Sequence, residues 1–104
     1  MSEQANFRDY ILSKHATTRV RQRGVRKWVV DSLFNEADVV HPVGGGCHAL
    51  TLSRRRVIEL RGDGASVGEL EVLGRHFLVI SADGTIVTVG KVQSGTRGRR
   101  YRRW

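Results

Sequence analysis

The strongest constraint on the fold lies near the C-terminal end of the sequence. Two apolar, β-branched runs, Phe77–Ile80 and Ile86–Val89, flank a polar segment that contains Asp83 and Gly84. Asp-Gly between such runs is a hairpin signature, because glycine takes the positive φ that the turn needs and the runs suit a pleated surface. Both strands are apolar enough to be expected in the middle of a sheet. A chain of 104 residues supports one domain with one modest core.

The N-terminal half carries helix signals. Ser13 reads as an N-cap, with helix from about Lys14 to Arg23 and Gly24 as its stop. Ala16 and Val20 form its apolar stripe. A second helix is predicted from about Arg26 to Asn35, where Val29, Val30, Leu33 and Phe34 recur at the spacing of one buried face. From Ala37 onward the pattern turns to strand: Asp38–His41, then a loop at Pro42–Gly46, then Cys47–Leu52. Arg55–Arg61 alternates and reads as another strand, with Ser53–Arg55 as a hairpin junction. Gly62–Gly68 reads as a glycine-rich loop. The expected class is α+β, with two N-terminal helices packed on a four- to five-stranded antiparallel sheet. Residues 1–12 form a loose lead-in, residues 13–92 the domain, and residues 93–104 a basic flexible tail.

Charge points to the partner. Eighteen Lys+Arg stand against ten Asp+Glu, for a net charge of +8, and fifteen of the eighteen are arginine. Arginine grips phosphate bidentately and stacks on bases. A GC-rich genome also enriches arginine over lysine, but it does not explain the net charge. The single Cys47 rules out an internal disulfide and a Cys-based zinc site, which suits a reducing compartment. No apolar run reaches the ~20 residues of a membrane span. Met1–Gln4 lack the features of a signal peptide, so a cytoplasmic protein is expected, without membrane contact.

On the first helix, steps of four residues place His15, Arg19 and Arg23 along one flank beside the Ala16/Val20 stripe, while Arg21 points elsewhere. Three roles fit that flank. Arginines can stabilise the charge of a phosphodiester transition state while histidine exchanges a proton. The same face can grip phosphate without cutting it. Alternatively, Arg19 and Arg23 tie down the helix junction through carbonyls or carboxylates.

The segment HA-x2-R-x3-RG (His15–Gly24), followed by a second helix and a late strand Ile86–Val89, resembles a widespread family of small domains of unknown function. That family is similar in fold to the barnase–EndoU–colicin–RelE group of toxin nucleases. The resemblance covers about residues 12–91, with Gly62–Gly74 looking like an inserted loop. It implies two helices on a four-stranded antiparallel sheet and a ribonuclease-like site at His15, Arg19, Arg23 and Thr88. Such a toxin implies an acidic antitoxin partner to cover its basic face. Arg26 and Lys27 depart from the family pattern, which commonly has a capping Ser or Thr, and acids, where its second helix starts.

The tail interleaves Arg97, Arg99, Arg100, Arg102 and Arg103 with Tyr101 and Trp104. Arginines neutralise phosphates and aromatics stack on unpaired bases, so contact with nucleic acid is expected there. A purely solubilising tail is the plainer alternative. Arg54, Arg55 and Arg56, at the expected hairpin tip, either extend the basic surface with Arg21, Arg26 and Lys27 or form a solvated turn. His48 or His76 opposite His15 would supply a second proton carrier, although a lone histidine, like His41, is more often a surface or satisfied one. No metal site or cofactor is expected. The glycine loops lack the Gly-Lys-Ser/Thr ending of a phosphate-binding loop.

These features lead to an RNA-binding domain, RNA before DNA, with metal-independent cleavage through 2′-hydroxyl attack as its enzymatic form. A growth defect on expression separates that toxin from a non-catalytic nucleic-acid-binding or regulatory protein of a phage or mobile element. Competition between RNA and a protein ligand separates it from a protein-interaction module, an inhibitor or adaptor.

Overall fold

The computed structural model describes residues 10–92. The tail residues singled out above, Arg97 to Trp104, lie outside them. The fold is α+β and, among the described residues, has four helices and a four-stranded antiparallel sheet. Helix α1 spans Lys14–Arg23, as its caps predict. Ser13 Oγ accepts the Ala16 N–H at 3.0 Å, and Gly24 stops the helix at φ 61°. Helix α2 spans Lys27–Glu36 and buries Val29, Val30 and Leu33. Its N-cap is Arg26, whose side chain makes no capping bond.

Strands β1 (Val39–Gly44) and β2 (Cys47–Thr51) form a hairpin around Gly45 and Gly46. Both glycines have positive φ, 63° and 75°, which a two-residue turn matched to the sheet twist requires. The expected loop at Pro42–Gly46 is therefore shorter. Pro42 belongs to β1, an edge strand, where a missing N–H is tolerated.

The chain then departs from the predicted strand at Arg55–Arg61. Residues Arg54–Gly62 form helix α3, and Ser53 is its N-cap rather than part of a hairpin. Asp38 accepts both the N–H (2.8 Å) and the hydroxyl (2.6 Å) of Ser53, while Ser53 Oγ accepts the Arg56 N–H (3.0 Å). Glu59 pairs with Arg55 and Arg56 one turn away. Local capping and these pairs outweigh the weak β pattern of Val57 and Ile58. The expected loop from Gly62 also ends early, because Val67–Gly74 is helix α4. Its start is a reciprocal capping box between Ser66 and Glu69.

Strand β3 (His76–Ile80) and strand β4 (Ile86–Lys91) form the predicted hairpin. In the turn, Asp83 takes the Ser81 hydroxyl and the Thr85 N–H, which hold its pKa down to about 2. The sheet order is β1-β2-β3-β4, so β3 is interior, but β4 stands at an edge rather than centrally. That edge is occupied. Ser13 Oγ reaches the Val87 carbonyl (3.4 Å), and the Arg23 guanidinium donates to the Val89 carbonyl (3.2 Å). The described end of the lead-in joins them. Ile86 donates to the Ile11 carbonyl (2.8 Å), and Tyr10 packs on Phe34 and hydrogen-bonds Asp31.

The core combines Ala16, Val25, Val29, Val30, Leu33 and Leu73 with Leu50, Leu78, Ile86 and Val89 of the sheet. All four sheet residues lie on one face. An extra residue on β4, where Val79 pairs with Thr88 but Ile80 with Ile86, turns Ile86 inward and Thr88 to the other side. Among the described residues, no helix is long and apolar enough to cross a membrane.

Candidate nucleic-acid interface

Residues 10–30 contain six bases (Lys14, Arg19, Arg21, Arg23, Arg26 and Lys27) and no acid. Helix α1 carries four of them along the β4 edge. His15 and Arg19 meet on its flank, with Arg19 Nε donating toward His15 Nε2 at 3.4 Å. His15 is exposed and Arg19 half-buried. Arg23, one turn further, reaches past the edge strand. A Cβ placed on Gly90 would stand 3.2 Å from Arg23 Nη1 and 2.6 Å from Phe77 Cζ. The guanidinium and the Phe77 ring therefore converge over Gly90. Gly90→Val will drive into that ring and destabilise the domain by about 1–3 kcal/mol in a urea titration.

Alternation along β4 puts Thr88 on the same sheet face as Gly90. The register extends this row across the sheet through Val79 and Ala49 to His41. None of these residues belongs to the helix-packed cluster, although Ala49 and Gly90 are buried and Thr88, Val79 and His41 half-buried. The site residues from the resemblance thus fall on one side of the domain: His15, Arg19 and Arg23 on the flank, and Thr88 on the adjoining face. Arg23 also bonds the Val89 carbonyl, so the anchoring role foreseen for it is real.

The second histidine is placed elsewhere. His48 pairs with Ile80 on the core side of the sheet, and His76 is buried. His41 shares a sheet face with Thr88 but lies three strands away, about 14 Å at ordinary strand spacing. None of the three lies on β4, the strand beside α1. Among the described residues, no group of three His, Cys, Asp or Glu side chains is arranged to hold a metal ion.

The other basic candidates divide. Arg21 and Arg26 are exposed, and Lys27 pairs with Asp31 at 2.9 Å. Arg54 is exposed at the start of α3, whereas Arg55 lies 3.7 Å from Glu59. Arg56 pairs with Glu36 and Glu59 and donates to the Glu36 carbonyl, so it fastens α3 to the end of α2. These three arginines sit on a helix, not on a hairpin tip, and Arg56 is already occupied by acids.

A cleft of about 320 Å3, which no sequence pattern marked, lies where the α1–α2 turn meets α4 and the ends of β3 and β4. It is lined by Gly24, Val25, Arg26, Trp28, Val29, Val72, His76 and Lys91. His76, only 7% exposed, holds the Val72 carbonyl through Nδ1 at 2.7 Å. Val72 belongs to the unforeseen α4, so nothing in the sequence pattern marked this meeting.

Burial pushes the His76 pKa below its ordinary 6.5, and the charges of Lys91 and Arg75 push the same way, against the Val72 bond. The unfolded chain then takes up this proton at higher pH than the folded one. The stability His76 confers is full above about pH 6.5 and falls as pH drops through the window below it. His76→Gln will flatten that part of the profile in urea midpoints compared at about pH 7.5 and about pH 5.5.

Against family models, curated proteins and solved structures alike, the chain finds no match.

Proposed function

We propose that the chain binds single-stranded RNA along the α1 flank and the adjoining edge of the sheet. The observation that carries this reading is the meeting of Arg23 and Phe77 over Gly90 at the end of an acid-free helix. Arginines beside an aromatic ring at a β-edge suit a strand whose phosphates track the cations while an unpaired base stacks. Arg19 and Arg23 contact phosphate, and Phe77 offers the stacking surface. The tail holds five arginines and no acid, so it adds a large share of the non-specific attraction. An acidic protein, such as an antitoxin, has the complementary charge for the same surface. A reducing cytoplasm suits a domain with one unpaired thiol.

The contact between Arg19 and His15 favours cleavage as a second reading. In that form the 2′-hydroxyl attacks the adjacent phosphate, His15 moves a proton, Arg19 and Arg23 hold the phosphate, and Thr88 positions an oxygen. With His41, His48 and His76 elsewhere, His15 has no described histidine partner for the second proton. Binding is therefore the primary reading.

The test incubates wild type and His15→Ala with a labelled single-stranded RNA in EDTA and scores retention and cleavage together. Salt-sensitive retention by both proteins without cleavage is the expected result. Cleavage lost in His15→Ala with retention kept would establish the nuclease form instead. Absence of salt-sensitive retention would remove the RNA reading.

A further inference from the structure

The cleft beside the α1–α2 turn has a chemistry of its own, apart from the α1 flank. Val25, Val29, Val72 and the Trp28 indole supply apolar walls, and its charged lining is cationic, from Arg26 and Lys91. Its volume, about 320 Å3, is that of a small-molecule site. Helix α2 opens here with no side-chain cap and no acid in its first turn, so its N-terminal dipole adds to the attraction for an anion. The independent feature is His76, a buried polar ring in the same lining. With Nδ1–H committed to the Val72 carbonyl, neutral imidazole leaves Nε2 as an acceptor. A ligand that satisfies all of these has a planar ring with an N–H donor and carries a negative group.

We propose that this cleft binds a nucleoside monophosphate unit, with the base against Trp28 and the valines and the phosphate held by Arg26 and Lys91. An N–H of the base serves His76. The unit is either a free nucleotide or the phosphorylated end of an RNA strand, because both present the same groups. The inference does not rest on the RNA reading of the α1 flank, because the Trp28 signal and the Arg26 and Lys91 substitutions report on the cleft itself.

Trp28 and Trp104 are the two tryptophans of the chain, so Trp104→Phe leaves Trp28 as the sole indole reporter. The full chain with that change is titrated with 5′-AMP, with adenosine, and with an oligoadenylate bearing either a 5′-phosphate or a 5′-hydroxyl. Saturable quenching is expected with 5′-AMP or with the 5′-phosphorylated oligomer. Quenching by the nucleotide identifies a free ligand; quenching by the oligomer alone identifies an RNA end. Arg26→Gln and Lys91→Gln will each weaken the response about tenfold. Both side chains are exposed, so these variants keep the fold, which thermal melts verify. Adenosine binding as tightly as 5′-AMP, indifference to both substitutions, or no saturable change with any phosphorylated probe would overturn the proposal.

Discussion

Arg19→Gln and Arg23→Gln combined will weaken binding of single-stranded RNA about 25-fold at about 0.1 M salt and lower the salt slope by about 1.4. Each phosphate neutralised on a single strand contributes about −0.7 to the slope of log K against log salt. Removing two cations therefore flattens the slope by about 1.4, which about one decade below 1 M salt is a factor of about 25 in affinity. The measurement is a salt series of binding curves for the variant and the wild type. Arg23 also anchors the Val89 carbonyl, so a melting curve must accompany it. Loss of one such bond costs about 0.5–1.5 kcal/mol, too little to unfold the domain. A variant that melts normally and retains the full slope would place the RNA on another surface.

Leu78→Ala will cost about 2–5 kcal/mol of folding free energy. Leu78 is fully buried at the centre of β3, where it meets Val89 and Leu50 across the sheet. The truncation leaves a cavity bounded by side chains of two helices and three strands, which cannot all collapse into it. A domain of this size has about 5–15 kcal/mol in total, so the variant loses a large part of its margin. Urea denaturation reads the effect directly as a lowered midpoint with an unchanged m-value. A loss below about 1 kcal/mol would mean that the core repacks freely around this position.

The boundaries of α1 were legible because both are set by adjacent residues, Ser13 and Gly24. The last hairpin was legible for the same reason, through Asp83 and Gly84. Helix α3 was not, because its N-cap is fixed by Asp38, fifteen residues upstream, and it buries no residue completely. Only Arg56, Val57 and Leu60 are half-buried along its inner side, too thin a stripe to compete with an alternating pattern. Helix α4 did carry a local signal, Ser66 with Glu69, which the surrounding glycines obscured. The flank of His15, Arg19 and Arg23 followed from helical spacing alone. Its junction with Phe77 did not, since it depends on the register that sets Phe77 opposite Gly90. The pairing of Arg56 with Glu36 likewise required the fold.

The closure of the β4 edge by α1 also sets the timing of assembly. Arg23 and Val89 are 66 positions apart, and Ser13 and Val87 are 74. At about 5–20 residues per second, roughly 3–13 s separate the synthesis of Arg23 from that of its acceptor. During that interval the ribosome carries a basic helix with no strand to lie against, and pairing over such a span is itself slow. A chain interrupted before Lys91 has the cations but not the surface they flank. The candidate interface is therefore a late product of synthesis, complete only in molecules whose β4 has been made.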